Sequence, residues 1–395
     1  MNNEPSNITI LGCTGSIGET TLGVMETLGV DRFQVIGLSA GQQLDKLISQ
    51  ALRWRPKFVS VAEERDEAYV RGALTENTKV ISGENGLREI AAQNETDIVV
   101  NGLVGAVGLL PTLDALCAGK TVGMANKEPL VMAGGLILET ARRHGGRILP
   151  LDSEPNAVWQ CLQGHDEDSL KRIMLTASGG PFRGQTKDQM VAVTSKEALA
   201  HPTWQMGEKI TVDSATLMNK GFEVIEASCL FSISIDQVDV VVHRESIVHS
   251  MVEFKDGSWL AHLGKTDMAL PIQYALTHPG RQATSLEALD LVKIGALHFE
   301  EPDLAEFPCL QLCYEVGRAG GCFPTALIAA DEIAVQAFLE DRIGFLDIFE
   351  INSDVCDRLS SFDKDPSLED VLDAYREARE LAKSCVHELS RHRRR

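Results

Sequence analysis

Positive charge is what this sequence has least of. Its 37 lysines and arginines face 57 aspartates and glutamates, a formal net charge of −20 over 395 residues. A surface with that balance repels phosphate backbones, which excludes a general nucleic-acid binder. The one strongly basic run, Arg391-His392-Arg393-Arg394-Arg395, reads as a solvated tail. No apolar stretch approaches the roughly 20 residues that span a bilayer, so no membrane partner is expected. The first eleven residues have neither the basic segment nor the long apolar core of a secretory signal, and a cytoplasmic location is expected. Nine cysteines are scattered along the chain. The closest group, Cys309, Cys313 and Cys322, fits no common zinc spacing, so buried free thiols in a reducing compartment are expected. Internal repeats and low-complexity tracts are also absent.

What is present is a globular composition, 44% apolar, long enough for two or three domains. Strand-like runs at residues 8–11, 33–38, 58–61, 97–101 and 120–124 alternate with helical stretches such as 44–53 and 109–118. That alternation predicts an α/β fold whose first 150 residues form a Rossmann-like, doubly wound parallel sheet. From 151 to 290 the texture changes. Strand-like segments at 172–176, 209–212, 238–242, 249–254 and 259–263 predict a central α+β domain with a partly antiparallel sheet. Residues 291–310, with Pro302 and Pro308, read as a linker. Residues 311–395 read as a C-terminal helical domain.

Several motifs carry chemistry. Gly12-Cys13-Thr14-Gly15-Ser16-Ile17-Gly18 lies between a strand and a helix, where glycines permit a tight turn and a pyrophosphate can sit on the helix N-terminus. In that context dinucleotide binding is favoured over a plain turn. The second strand ends in Ser39-Ala40-Gly41-Gln42-Gln43, without an acid before Asp45 to take ribose hydroxyls. This favours NADP over NAD, although no base appears before Lys46. Asp152 and Glu154 flank Ser153 after an apparent strand. Residues i and i+2 of an extended segment share a face, and two acids held so close call for a cation. Lys127, in Asn126-Lys127-Glu128, has two readings: a stabiliser of developing alkoxide or enolate charge, or a capped helix start with a surface ion pair. Ser214 can cap a helix in which Asn219 and Glu223 share one face. Gly221 inside that helix hints at a close approach. The turn Thr176–Phe182 could present amides to an anion. The loop 201–207 carries Trp204 and Met206, which could close over a ligand or pack on the body.

Together these motifs resemble the 1-deoxy-D-xylulose 5-phosphate reductoisomerase family. The resemblance runs through GCTGSIG (12–18), ANKE (125–128), LDSE (151–154), TASGGPF (176–182), HPTWQMG (201–207), VDSATLMNKGFEVIEA (212–227), VVVHRESIVHSMVEFKDGS (240–258), FPCLQLCYEVGRAGG (307–321) and DRIGFLDI (341–348). It implies an NADP-dependent oxidoreductase and isomerase of non-mevalonate isoprenoid biosynthesis. Such an enzyme rearranges 1-deoxy-D-xylulose 5-phosphate and reduces it to 2-C-methyl-D-erythritol 4-phosphate, using NADPH and a divalent cation (Mg²⁺, Mn²⁺ or Co²⁺). By motif, Asp152, Glu154 and Glu223 would be metal ligands. Lys127, Ser153, Glu154, Ser178, His201, Ser214, Asn219, Lys220 and Glu223 would bind substrate. Thr14, Gly15, Ser16, Ile17, Gly41, Gln42, Gln43, Asn126, Glu128 and Gly207 would contact NADPH. Trp204 and Met206 would lie in the lid. The resemblance also implies a homodimer formed through the central domain. The chain departs from the family pattern at Pro155-Asn156-Ala157, Arg244-Glu245, Thr266 and Gly41-Gln42-Gln43. Those departures leave a related oxidoreductase acting on another phosphorylated sugar as the alternative.

Overall fold

The computed structural model describes residues 5–359 and 363–393. Arg394 and Arg395 of the basic tail lie outside them; the preceding helix runs on to Arg393. The chain divides into two compact units, Met1–Pro129 with Ile137–Asn156 and Asp267–Glu287, and Leu130–Leu136 with Ala157–Thr266 and Ala288–Arg395.

The first unit is the expected alternating α/β structure. Strands β1 (Ser6–Leu11), β2 (Phe33–Ala40), β3 (Phe58–Val61), β4 (Lys79–Ser82), β5 (Ile98–Asn101), β6 (Thr121–Met124) and β7 (Arg147–Pro150) pair in the order β4-β3-β2-β1-β5-β6-β7. Every pair is parallel. Helices α1 (Ser16–Leu28), α2 (Leu44–Trp54), α3 (Glu64–Ala73), α4 (Gly83–Ala91), α5 (Leu109–Cys117) and α6 (Glu128–His144) provide the crossovers, and α7 (Ser153–Cys161) follows β7. Strands buried along their whole length, such as Ile8–Leu11, where Ile8, Thr9, Ile10 and Leu11 are all fully buried, are what a sheet covered on both faces requires. Strand order reverses direction at β1. In such sheets ligands bind beyond the strand C-termini at the reversal, where the turn Gly12–Gly18 lies.

The second unit is built on a four-stranded sheet of β8 (Leu170–Ala177), β9 (Val238–Val242), β10 (Val248–Phe254) and β11 (Trp259–Leu263), in the order β11-β10-β8-β9. β8 and β9 are parallel, and the other pairs antiparallel, as the mixed texture predicts. Two single turns, α8 (Lys187–Met190) and α9 (Ser195–Ala198), are closed by capping boxes from Thr186 and Thr194. Helices α10 (Glu208–Thr216) and α11 (Met218–Leu230) follow. In the first unit α12 (Ala269–Thr277) packs against α1. Residues 291–310 contain a short α13 (Leu291–Ile294) and a β-bridge from Glu300 to Val242. The last part is helical: α14 (Cys309–Ala319), α15 (Phe323–Leu339), α16 (Asp347–Arg358) and α17 (Leu368–Arg393).

One expected strand is wrong. Residues 209–212 lie in α10. The β-branched run Ile210-Thr211-Val212 imitates a strand, but Thr211 N–H donates to the Gly207 carbonyl and Val212 is buried from a helix face. Packing has overridden local propensity.

Candidate functional site

In the first unit the glycines of the 12–18 turn do different work. A Cβ on Gly12 would stand 2.7 Å from the Gly102 carbonyl oxygen, and one on Gly18 would stand 2.3 Å from the Cys13 Cα. Those two glycines allow β1, β5 and α1 to pack closely. The turn is tied down by side chains from β2 and α2. Gly12 N–H donates to Ser39 Oγ (3.0 Å), Gln50 Nε2 to the Cys13 carbonyl (3.0 Å) and Lys46 Nζ to the Thr14 carbonyl (2.9 Å). The turn's amides and the first turn of α1, beginning at Ser16, are therefore held ready for an anion. Gly41, Gln42 and Gln43 are exposed just past β2. Asp45 is already engaged by Tyr69 Oη at 2.5 Å.

On the same edge of the sheet, Lys127 projects from the β6–α6 connection and Asp152 from the β7–α7 connection. Lys127 Nζ lies 2.5 Å from Asp152 Oδ2, with the side chains 4% and 12% exposed. The surface ion-pair reading of Lys127 is thereby overturned, since the pair is buried. Asn126 reaches Glu128 Oε2 (2.6 Å) and the Gly105 carbonyl (3.1 Å).

Asp152 and Glu154 do not share the face of an extended strand, contrary to the expectation. β7 stops at Pro150, and Ser153 already starts α7. Asp152 holds the N-cap position: its carbonyl accepts Asn156 N–H (2.9 Å) and its Oδ1 accepts Ser153 N–H (3.0 Å). Glu154, in the first turn, accepts Ser153 Oγ–H at 2.5 Å. Both acids thus sit at the positive end of a helix dipole. Pro155 is the third helical residue, where a missing N–H costs no intrahelical bond. Asn156 donates to the carbonyls of Pro150 (2.8 Å) and Pro271 (3.3 Å).

In the second unit Ser178 and Ser214 belong to neighbouring pieces of backbone. Gly180 has φ +66°, and a Cβ there would lie 2.7 Å from the Ser214 carbonyl oxygen, so the turn after β8 closes on α10 only with glycine. Ser214 is in the last turn of α10 and is not the helix cap its sequence context suggests. α11 starts afresh after Leu217, whose φ is +63°. His201 Nε2 lies 3.0 Å from Ser178 Oγ. The N–H groups of Thr203 and Trp204 donate to His201 Nδ1 at 3.2 and 2.9 Å. Burial pulls the imidazole pKa down to about 4, so at neutral pH the ring is uncharged. With Nδ1 accepting, its proton is on Nε2, which donates to Ser178. Gly180 N–H also donates to Ser178 Oγ (3.2 Å). With two bonds accepted, the Ser178 hydroxyl is left to donate, as an anion requires.

α11 carries the third carboxylate. Glu223 is 1% exposed. Asn219 Nδ2 donates to its Oε1 at 2.6 Å, and buried Lys220 pairs with its Oε2. Gly221 does meet a close neighbour, Cys313: a Cβ would lie 2.3 Å from the Sγ. The glycine thus serves helix packing against α14. In the loop 201–207, Trp204 and Met206 are half-buried, and the Trp204 ring stands 6.4 Å from that of His249. Gly207 is the N-cap residue of α10.

Sequence reasoning did not single out Arg183, His249 or Lys209. Arg183 Nη1 donates to the Ser178 carbonyl (2.8 Å) and lies five residues beyond it; that proximity was the available signal. Nothing in the spacing announces the other two. All nine cysteines are free thiols; seven are buried as expected, but Cys229 is half-buried and Cys117 is exposed.

Three family models match the chain. The one described as 1-deoxy-D-xylulose 5-phosphate reductoisomerase covers residues 8–134, and two C-terminal-domain models of the same enzyme cover 148–231 and 263–381. The 1-deoxy-D-xylulose 5-phosphate reductoisomerase 2 of Bacillus anthracis is 48% identical over 368 residues, 93% of this chain and 96% of the relative. A reductoisomerase of the same family name from Geobacillus sp. (strain WCH70) is 48% identical over 380 residues, 96% and 99% of the two chains. Among solved structures, the Zymomonas mobilis enzyme in complex with NADPH is 42% identical, with a TM-score of 0.89 over 97% of this chain and 99% of that one. A DOX-P reductoisomerase in complex with NADPH, fosmidomycin and magnesium is 40% identical, with a TM-score of 0.92 over 97% and 98%.

Proposed function

The chain belongs to the 1-deoxy-D-xylulose 5-phosphate reductoisomerase family, and from that premise we propose that it converts 1-deoxy-D-xylulose 5-phosphate to 2-C-methyl-D-erythritol 4-phosphate with NADPH and a divalent cation. The observation that carries the reading is the survival of the acid and lysine set. Asp152 and Glu154 of the first unit and Glu223 of the second are the carboxylates we assign to the metal ion, on the motifs that carry them. Lys127 and Lys220 accompany Asp152 and Glu223. An all-oxygen donor set suits a hard cation, Mg²⁺ first and Mn²⁺ or Co²⁺ as substitutes. No feature of the site favours another phosphorylated sugar.

When bound, the cation supplies Lewis acidity to the substrate's ketone and adjacent hydroxyl, and NADPH supplies the hydride. The rest falls to the chain's own residues. Lys127 holds Asp152 in place and offers positive charge to a developing oxyanion. Ser153 and Glu154 bind the substrate's hydroxyls. Ser178, His201, Ser214, Asn219 and Lys220 hold its phosphate, with Ser178 donating its hydroxyl proton and neutral His201 fixing that serine. Thr14 to Ile17, Gly41 to Gln43, Asn126, Glu128 and Gly207 contact NADPH. The loop bearing Trp204 and Met206 closes over substrate, excluding water and fixing reacting groups.

Two further assignments accompany this one. A homodimer through the second unit is supported by β11, an edge strand whose Trp259, Leu260 and Leu263 are exposed. Exposed apolar edges are normally covered. Sedimentation should give a dimer, and Leu260→Asp should shift it to monomer. A cytoplasmic location is supported by the nine free thiols, which a reducing compartment preserves. Among the described residues no helix is long and apolar enough to cross a membrane.

The reading is tested by following NADPH oxidation with 1-deoxy-D-xylulose 5-phosphate and Mg²⁺, Mn²⁺ or Co²⁺. A purified protein inactive with all three would sink it.

A further inference from the structure

We propose that Lys209 is a positioning residue that sets the phosphate-binding helix α10 in register with the C-terminal helices; the proposal rests on the assignment of Ser214 to the substrate phosphate. Lys209 is the second residue of α10, a position where a cation opposes the helix dipole and weakens the helix. Its charge therefore answers to something outside local helix stability. Its Nζ lies 2.6 Å from Asp213 Oδ2, one turn on, and 2.7 Å from Asp331 Oδ2 in α15. Lys209 is 14% exposed, against 3% for Asp213 and 0% for Asp331. The ammonium also stands 5.4 Å from the centroid of the Phe222 ring in α11. Asn352 Nδ2, from α16, donates to the other oxygen of Asp331 at 3.2 Å. One cation thus gathers four helices.

The placement gives this cluster its consequence. Lys209 follows Gly207, the end of the loop that bears Trp204, by two residues. Asp213 directly precedes Ser214, whose carbonyl oxygen would lie 2.7 Å from a Cβ on Gly180 of the anion turn. Phe222 directly precedes Glu223. A displacement of α10 relative to α15 moves the end of the lid and Ser214 together. Buried ions tolerate only narrow geometries, because each must keep its partners while out of water. The cluster therefore fixes where the phosphate contacts stand before substrate arrives, which lowers the cost of binding.

The test uses full-length Lys209→Met, Lys209→Arg and Asp331→Asn proteins. The measured quantities are KM for 1-deoxy-D-xylulose 5-phosphate, KM for NADPH, kcat, and calorimetric binding of inorganic phosphate. Lys209→Met should raise the substrate KM and weaken phosphate binding by about tenfold, with kcat and the NADPH KM changing less than about threefold. Asp331→Asn should move the same two quantities in the same direction by a smaller factor. Lys209→Arg, which keeps the charge, should recover most of the loss. A lowered melting temperature with unchanged substrate KM and phosphate binding would make the cluster merely structural and overturn the proposal. So would equal losses for substrate and NADPH. If Lys209→Met does not fold, Asp331→Asn and Lys209→Arg decide by the same criterion. Phosphate binding is read without turnover, so a wild-type protein inactive on this substrate would count against the functional reading and leave the positioning claim separately measurable.

Discussion

Each unit pairs a lysine of the proposed site with a carboxylate, Lys127 with Asp152 and Lys220 with Glu223, and the two pairs are made differently. Lys127 and Asp152 come from the ends of different strands, and their 2.5 Å contact exists only because β6 and β7 lie side by side. Lys220 and Glu223 are three residues apart on one helix, so the contact follows from helical geometry. The first pair is a product of the sheet and the second of a local repeat. Both put a cation beside an acid that is out of water, where removing one partner leaves an uncompensated charge costing about 3–5 kcal/mol. The difference lies in what else can break them. A shift between β6 and β7 disrupts the first, whereas only substitution within α11 disrupts the second.

The sharpest way to separate the pairs is to remove the acid of the second. Glu223→Gln should lower turnover by roughly 10³-fold while NADPH affinity stays within about threefold. Steady-state kinetics and a fluorescence titration of NADPH check both, and equal loss of the two would argue against a metal ligand. The lysines come next. Lys127→Met should cut kcat by roughly 10²-fold, whereas Lys220→Met should act mainly on the substrate KM, raising it about tenfold. Interchanged kinetic signatures would contradict the roles given to the two pairs.

The anion cradle of the second unit adds a pH test that the first unit lacks. The His201 pKa is pushed from 6.5 down to about 4 by burial. Between those values the unfolded chain takes up a proton that the folded chain refuses, so stability is complete above about pH 6.5 and falls as pH drops toward 4. Denaturant titrations should show a shallower decline over that window in His201→Gln. An unchanged slope would place the charge-sensitive group elsewhere. The smallest effect is expected in the first unit: Pro155→Ala should change stability by less than about 1 kcal/mol, because the proline occupies a helix position that needs no N–H.

These contrasts also explain what could be read beforehand. The parallel sheet was legible because its strands are buried on both faces and spell continuous apolar runs. Asn219 and Glu223 were legible as helix neighbours because their spacing is their geometry, whereas Lys220 came only with the family resemblance. Asp152 and Glu154 were found for a mistaken reason: they converge at a helix start and not along a strand, and sequence periodicity cannot show where β7 ends. Residues 209–212 misled because their branched side chains imitate a strand while tertiary packing makes them helix. The glycine at 221 signalled a close neighbour, and only the fold could show that it was Cys313. Lys209 was invisible, since its partner Asp331, and Asn352 behind it, are more than a hundred residues away.

The central claim is most directly tested by one spectrophotometric assay. NADPH oxidation is followed with purified protein and 1-deoxy-D-xylulose 5-phosphate after exhaustive chelation of divalent metal, and again after Mg²⁺ is restored. The account predicts no oxidation without the cation and full recovery on its return. Oxidation at the same rate in both conditions, or in neither, would contradict it.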